Sequence, residues 1–465
     1  MQIIKYTLTI IIITFFAACT KQIPVEKQVT IEQKKTIVEK TSLDNQFNNV
    51  SKYLLSKNEK EFLEILKTDK YASLCSSQDK YLELKNMPNS FEKSEQIKAL
   101  LLEYTNNLVN SCIDQLSFQT LLKQEKYKKR KQYYEIYNEK IDKDKLLEEF
   151  NSGKITVDMI LSEYTPTHPD FFKLIEKLDI NKLSSENYNK LRLNIERLKL
   201  IKEYKNDNFI QLNIPSYNFA LYENGEVERK FGTVVGEKDS QTPILSSKLS
   251  YFIINPAWNI PDSIAKSTII PRALKDKNYL KRKNIVIRKN YNLDSKKYRF
   301  KDIKWKKYLN KQVKYIPYKF IQLPSRTNGM GRVKFMFPND YAVYMHDTIG
   351  TWRFKSNKEK IRFTSHGCVR LEHPIAFMRH VTKNYTPKTY KSIRKTYLSN
   401  EMRTVGLSKK LPLHITYLTS YIKNGKLGFY KDVYEYDKIQ KLNFIPYQNA
   451  VTFAQANKDS LIKNF

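Results

Sequence analysis

Glycine and proline are scarce in this 465-residue chain, at 11 and 16 residues, and that scarcity excludes collagen-like and low-complexity classes. After residue 18 no run is long and apolar enough to cross a membrane. There are four cysteines and six histidines, with no CxxC or HExxH spacing, so the pattern gives no support to a metal centre. No internal repeat is apparent. Acidic residues are also short: 48 Asp and Glu stand against 82 Lys and Arg, a net charge of +34. Such an excess suggests an anionic partner, whether nucleic acid, a membrane surface or an acidic polymer, and charge alone does not choose among them. Core-forming residues, in contrast, are plentiful. Hydrophobic residues make up 41% of the chain and aromatic ones 13%, including 32 Tyr and 24 Phe, which excludes a mostly disordered chain. The length allows roughly two to three domains at about 100 to 200 residues each.

The first residues, MQIIKYTLTIIIITFFAAC, place Lys5 before an apolar stretch from Tyr6 to Ala18. At about 1.5 Å per residue that stretch falls well short of a roughly 30 Å hydrocarbon core, so residues 1–18 read as a signal peptide. Phe16-Ala17-Ala18-Cys19 resembles a bacterial lipobox, which would make Cys19 the lipidated mature N-terminus; Phe16 stands where Leu is more usual. An ordinary cleaved signal peptide with an incidental Cys is the other reading. The polar, Lys-rich residues 19–45 suit a tether between a lipid anchor and a folded body. The expected location is periplasmic, exported and lipid-anchored.

Export changes how the remaining cysteines count, because disulfides persist in the periplasm. Cys75 and Cys112 share the helical region and are read either as a disulfide staple or as two buried thiols. Cys368 is then the odd one, and an unpaired thiol in an exported protein invites a catalytic explanation.

From 46 to 205 apolar residues recur at spacings of three and four, as in Phe62-Leu63-Ile65-Leu66 and Leu146-Leu147-Phe150, which predicts a helical domain with a break at Pro166 and Pro169. The Lys- and Tyr-rich stretch 124–141 looks at first like a nucleic-acid helix, but is read as solvated helix faces around a packing Tyr stripe. After residue 206 the pattern becomes short alternating runs with turn signals. Asn224-Gly225 and Asn424-Gly425 each lie between strand-like runs, as two-residue hairpins require. Residues 206–437 therefore read as a mainly antiparallel β domain, followed by a tail at 438–465.

Within the β domain, Thr364-Ser365-His366-Gly367-Cys368-Val369-Arg370-Leu371 follows Tyr344-Met345-His346-Asp347-Thr348, with His346 lying 22 residues before Cys368. A cysteine nucleophile reacts as thiolate, and a nearby imidazole both removes its proton and stabilises the anion. Alternation places Ala342, Tyr344 and His346 on one face of a strand. Gly367 would allow a tight turn whose main-chain N–H groups receive an oxyanion. By itself a Cys with two His proves little.

This segment resembles the catalytic domain of YkuD-type L,D-transpeptidases, whose motif is a His, a variable gap and Ser-His-Gly-Cys, and in particular the large periplasmic branch of Gram-negative bacteria. The resemblance extends to Val333–Asn339 (VKFMFPN), Asn255–Pro261 (NPAWNIP), Val234-Val235-Gly236 and Asn194–Arg197 (NIER), covering about 190–435 in family order. It departs from the family in a longer gap, Gly350 to Arg362, before Ser365, and in having no upstream peptidoglycan-binding element. The resemblance implies an α+β fold: a helical domain, then a YkuD-type β-sandwich with a capping insertion at about 262–325.

It also implies Cys368 as nucleophile, His346 as base, and Ser365, His366 and Gly367 as the motif turn and oxyanion hole. For Arg370 two readings stand, a substrate-carboxylate contact and a structural ion pair. Trp258 is read either as a cleft aromatic or as core, and Tyr344 as substrate-binding. Asp347 is read either as a group that positions His346 or as a surface carboxylate at the strand end, and His366 either as a direct proton-transfer group or as a hydrogen-bonded structural histidine. Lys275 to Lys319 holds 17 basic and three acidic residues, a cationic lid or simply a solvated surface, with Trp305 and Tyr308 helping it pack.

The implied activity is transfer on peptidoglycan tetrapeptide stems through an acyl-thioester to a 3→3 cross-link, without cofactor. The partners implied are stem peptides, a membrane through the anchor, and carbapenem inhibitors, but not nucleic acid. Water or an envelope-protein lysine as acceptor, giving a carboxypeptidase or a wall-anchoring enzyme, stays open. So does a non-catalytic peptidoglycan-binding lipoprotein.

Overall fold

Ser56 starts the first helix, Lys57–Thr68, by accepting from the Glu59 N–H at 3.2 Å, while the Glu59 carboxylate accepts from the Ser56 N–H at 2.6 Å. This reciprocal cap satisfies two otherwise unpartnered donors. The computed structural model describes residues 53–443 apart from 76–77, 124–133, 135–137, 180, 202–207, 311, 314 and 356–360. The signal peptide, Cys19 and the tether lie outside the described residues, as do most of 124–141 and all of 444–465. Among the described residues no helix is long and apolar enough to cross a membrane.

Side-chain caps from Ser90, Thr156 and Ser184 start later helices of a run that ends at Lys199. The three-and-four spacing buries Phe62, Ile97, Leu101, Tyr104 and Phe150 in one helical core. The break falls as expected: one helix ends at Ser162 and the next spans Phe171–Ile175, either side of Pro166 and Pro169. Tyr134 differs from the helical reading. It forms an extended bridge to Ile244 and packs its ring on Phe118 at 5.6 Å, because the β-domain core offers it an apolar seat.

The β domain starts with β1 (Phe209–Asn213), β2 (Asn218–Glu223), β3 (Glu226–Gly236) and β4 (Leu245–Ile254). A cap follows, built from β5 (Trp258–Ile260), β6 (Ile285–Arg288), β7 (Lys297–Tyr298) and β8 (Lys319–Gln322) in the order β5-β8-β6-β7. It has its own core, in which Trp305 and Tyr308 are buried with Ile270, Ile287 and Phe320. The cap begins at Trp258 rather than at about 262, because β5 pairs with β8.

The chain then returns through β9 (Val333–Met336), β10 (Met345–His346), β11 (Phe363–Ser365), β12 (Val369–Leu371) and β13 (Arg403–Thr416). These join β1–β4 in one nine-stranded sheet, ordered β11-β3-β12-β10-β9-β4-β13-β1-β2. Because β2 also pairs with β3, the ladder runs continuously around a single core. Most pairings are antiparallel, and the architecture is α+β, as expected. Both Asn-Gly pairs make the predicted hairpins. Asn224 and Gly225 have φ of 52° and 76°, and Asn424 and Gly425, between β14 (Ser420–Lys423) and β15 (Lys426–Phe429), have φ of 50° and 71°.

Helical and β regions do not separate at residue 205. Leu418 is buried in the helical core and Phe118 in the β core. In the helix Ser185–Lys199, Asn194 bonds Thr419, and Arg197 bonds Asp437 at 2.6 Å and Gln440 at 2.8 Å. Residues 438–443 therefore belong to the folded body rather than to a tail, with Ile113 and Leu442 also forming a β-bridge. Cys75 and Cys112 are joined as a disulfide with Cα atoms 5.4 Å apart, and the Cys112 N–H donates to Glu196 at 2.7 Å.

Candidate active site

β10 carries the site because of its two neighbours. Met345 lies opposite Val369 of β12 and Phe335 of β9, while His346 lies opposite Arg370 and Lys334. Side chains alternate along strands, so register decides the faces. Met345, Val369, Leu371, Val333 and Phe335 enter the core. Tyr344, His346, Arg370, Lys334 and Cys368, two residues before Arg370, share the opposite face.

The strand itself is shorter than the alternation of 341–346 suggests. Ala342 has φ 54° and does not join Tyr344 and His346. The reason is Asn339, whose side chain accepts from the N–H groups of Tyr341 and Val343, both at 3.1 Å, and donates to the Val343 carbonyl at 2.8 Å. That local hydrogen bonding turns the chain before β10 begins.

Gly367, at φ 103°, makes the turn into β12, and a Cβ there would sit 3.4 Å from the Gln241 carbonyl. The turn is clamped from both sides. The Ser365 hydroxyl donates to the Cys368 carbonyl at 2.6 Å, and the Thr242 hydroxyl donates to the Gly367 carbonyl at 2.8 Å. Thr242 is in turn fixed by Gly236 and by the buried Tyr434 hydroxyl. Among the described residues the N–H groups of Gly367 and Cys368 have no acceptor, which leaves them open to an oxyanion. The His366 side chain is 64% exposed and lies 3.4 Å from Glu237.

Cys368 is the free cysteine among the described residues. Burial pushes its thiol up, while hydrogen bonds from Tyr344 and the charges of Lys334 and Arg370 pull it down. Burial raises the Tyr344 phenol, and the neighbouring Cys368 adds to it. His346 is 3% exposed, and burial together with Arg370 lowers it to about 4, so near neutral pH the imidazole is an uncharged base. Its Nδ1 lies 2.5 Å from the main-chain carbonyl of Asp347. No hydrogen bond joins Cys368 and His346 among the described residues; the thiol meets Tyr344, its register neighbour.

Asp347 departs from the surface-carboxylate reading. Its carboxylate accepts from the N–H groups of Arg332 and Thr348, both at 2.7 Å, and burial raises it. It positions His346 through its carbonyl, and its side chain shapes the loop from the cap. A Cβ on Gly331 would clash with that carboxylate at 2.4 Å.

Trp258 stands one step back. Its ring lies against Gly329, where a Cβ would come within 2.9 Å, and the adjacent Met330 carbonyl faces the His346 ring. Arg370 has no acidic partner among the described residues, and Arg353, from the long loop before β11, adds a second guanidinium beside it. Lys334 and Arg353 were not identified from sequence. Strand alternation already separates Lys334 from Val333 and Phe335, but only the β9–β10 register brings it to the site.

The remaining cluster of His, Cys and acidic atoms close enough to hold an ion, among the described residues, is Cys75, Cys112 and Glu196. There the two sulfurs are spent in the disulfide.

Residues 207–390 match the YkuD family, described as the L,D-transpeptidase catalytic domain. A Haemophilus influenzae protein named "Putative L,D-transpeptidase" is 30% identical over 253 residues, 54% of this chain and 48% of that protein. The chain thus spans about half the length of that relative. Among solved structures, an L,D-transpeptidase from Mycobacterium smegmatis is 13% identical with a TM-score of 0.20, over 45% of this chain and 58% of that one. An L,D-transpeptidase in complex with imipenem is 12% identical with a TM-score of 0.19, over 45% of this chain and 59% of that one.

Proposed function

With residues 207–390 matching the YkuD family of L,D-transpeptidase catalytic domains, we propose that the protein is a cysteine-dependent L,D-transpeptidase acting on tetrapeptide stems of peptidoglycan. The observation that carries this reading is the single sheet face holding Cys368, Tyr344, His346, Lys334 and Arg370 beside two free N–H donors. His346, neutral near pH 7, takes the thiol proton; catalytic hydrogen bonds that are loose in a resting site tighten when substrate is bound. The thiolate attacks the carbonyl joining the third residue of the stem to its terminal D-Ala. The oxyanion is held by the N–H groups of Gly367 and Cys368. Collapse expels D-Ala, whose amine recovers the proton from His346, and leaves an acyl-thioester. The amine of a neighbouring stem then displaces the thiol and gives a 3→3 cross-link. Arg370 and Arg353 suit a substrate carboxylate, since a guanidinium fork matches it.

Muropeptide profiling in a host lacking other L,D-transpeptidases tests this directly. Wild type adds 3→3 dimers and Cys368→Ala does not; dimers made equally by the mutant overturn the mechanism. Shortened stems or protein-linked stems in place of dimers would identify water or an envelope protein as acceptor. A carbapenem should acylate the same thiol, read as a mass adduct on the Cys368 peptide; a non-catalytic binding protein gives none. Export and lipid anchoring at Cys19 belong to the same proposal, and Cys19→Ser should move the protein from membrane to soluble fractions.

A further inference from the structure

Lys334 is a half-buried cation to which the proposed mechanism gives no task. Its Nζ sits 3.6 Å from the centroid of the Tyr344 ring, and its backbone lies opposite His346 across the β9–β10 ladder. Tyr344 is the hydrogen-bonding neighbour of Cys368. The charged and titratable groups facing this point are Tyr344 and His346 on β10, Cys368 and Arg370 on β12, and Arg353 from the loop before β11. None is a carboxylate, and Asp347, next to His346 in sequence, is held by the main chain of Arg332 and Thr348.

We propose that Lys334 is a positioning residue that sets the charge state of Cys368, attracting the thiolate directly and through the phenol of Tyr344 that it covers. A cation over an aromatic face withdraws electron density from the ring and makes the phenol O–H a stronger donor to sulfur. Consistent with this, burial lowers the Lys334 ammonium while the charge on Cys368 raises it. The same positive field disfavours an imidazolium at His346. The fixed cations of the sheet face therefore help to balance the thiolate that forms when His346 takes its proton. This inference rests on Cys368 being the nucleophile.

The test is the pH dependence of iodoacetamide alkylation of full-length protein, read by mass spectrometry on the Cys368 peptide so that Cys19 does not interfere. Lys334→Met should shift the alkylation midpoint upward and slow the rate at pH 7 about tenfold. Lys334→Arg, which keeps the charge, should restore most of the rate, and Tyr344→Phe should slow it by a smaller factor. An unchanged midpoint in a folded Lys334→Met protein would overturn the proposal, as would an equal loss in Lys334→Arg and Lys334→Met. Alkylation reads the thiol whether or not wild type cross-links stems. Failure of the muropeptide assay would thus sink the transpeptidase reading and not this one.

Discussion

Among the described residues a buried cluster of basic side chains and a half-buried one are treated in opposite ways. At the junction of helical and β regions, Arg192 pairs with Asp69 at 2.9 Å, Lys199 with Glu196 at 2.9 Å and Arg197 with Asp437 at 2.6 Å. At the sheet face, Lys334 and Arg370 have no acid among the described residues, and the charge they attract belongs to Cys368. Burying a charge is costly unless it is paired. The paired cluster is architecture, because its charges answer one another when the chain folds. The unpaired cluster keeps its field for the thiol and for an anion arriving from outside, the arrangement expected where charge is to be stabilised during a reaction.

The comparison breaks most sharply at the junction. Arg197→Met leaves Asp437 buried without its cation and should cost about 3 to 5 kcal/mol, read as a large fall in thermal midpoint. If Arg197→Met and Arg370→Met destabilised the fold equally, the distinction between the clusters would be lost. Next in size, Cys75→Ser with Cys112→Ser removes a bridge closing a separation of 37 residues beside Glu196, and should cost about 3 to 4 kcal/mol. Reducing agent should lower the wild-type midpoint and leave the double mutant unaffected.

A pH titration separates the regions without mutation. His346 is lowered to about 4 and His414 to about 3, both mainly by burial, from an ordinary value near 6.5. A histidine lowered on folding takes up its proton more readily when unfolded. Its contribution is therefore complete above about pH 6.5 and is lost as pH falls toward 4 and below. Each should contribute roughly 2 to 3 kcal/mol, and chemical denaturation at pH 7 and at pH 4.5 should show the loss. With His346 as the base proposed above, cross-linking should keep its acid limb below about pH 5.

Smaller still is the stability effect at the sheet face. Arg370→Met should change the melting midpoint by less than about 1 kcal/mol equivalent while lowering cross-linking at least tenfold. The smallest change is expected for His366→Ala. Its imidazole is exposed beside Glu237, and activity should stay within about threefold of wild type.

Much of the site was legible in the residues because it rests on local chemistry. The SHGC run places Cys368 after a glycine that takes positive φ, and both Asn-Gly hairpins follow from conformational preference alone. Other parts were misread for identifiable reasons. Asn339 shortens the strand before His346 through its own side-chain bonds, a competition that alternation does not register. Tyr134 left its helical pattern for a bridge to Ile244, where the β core overrode local propensity. The Asp347 carboxylate accepts from the main-chain N–H of Arg332, 15 residues earlier, a contact that a strand-end position does not reveal.

The sequence by itself determined the α+β order of elements, the turn that presents Cys368, the candidate pairing of Cys75 with Cys112, and the residues Asn194 to Arg197 as a marked segment. Tertiary structure alone decided that Lys334 stands beside the thiol and Arg353 beside Arg370, that the Asp347 carbonyl meets the His346 ring, and that residues 438–443 close the junction on Arg197. The physical reason is separation along the chain. Caps, turns and alternation act within a few residues and can be read locally. The neighbours of a buried charge are set by strand register across tens to hundreds of residues, and one step of register would turn Lys334 from the thiol into the core.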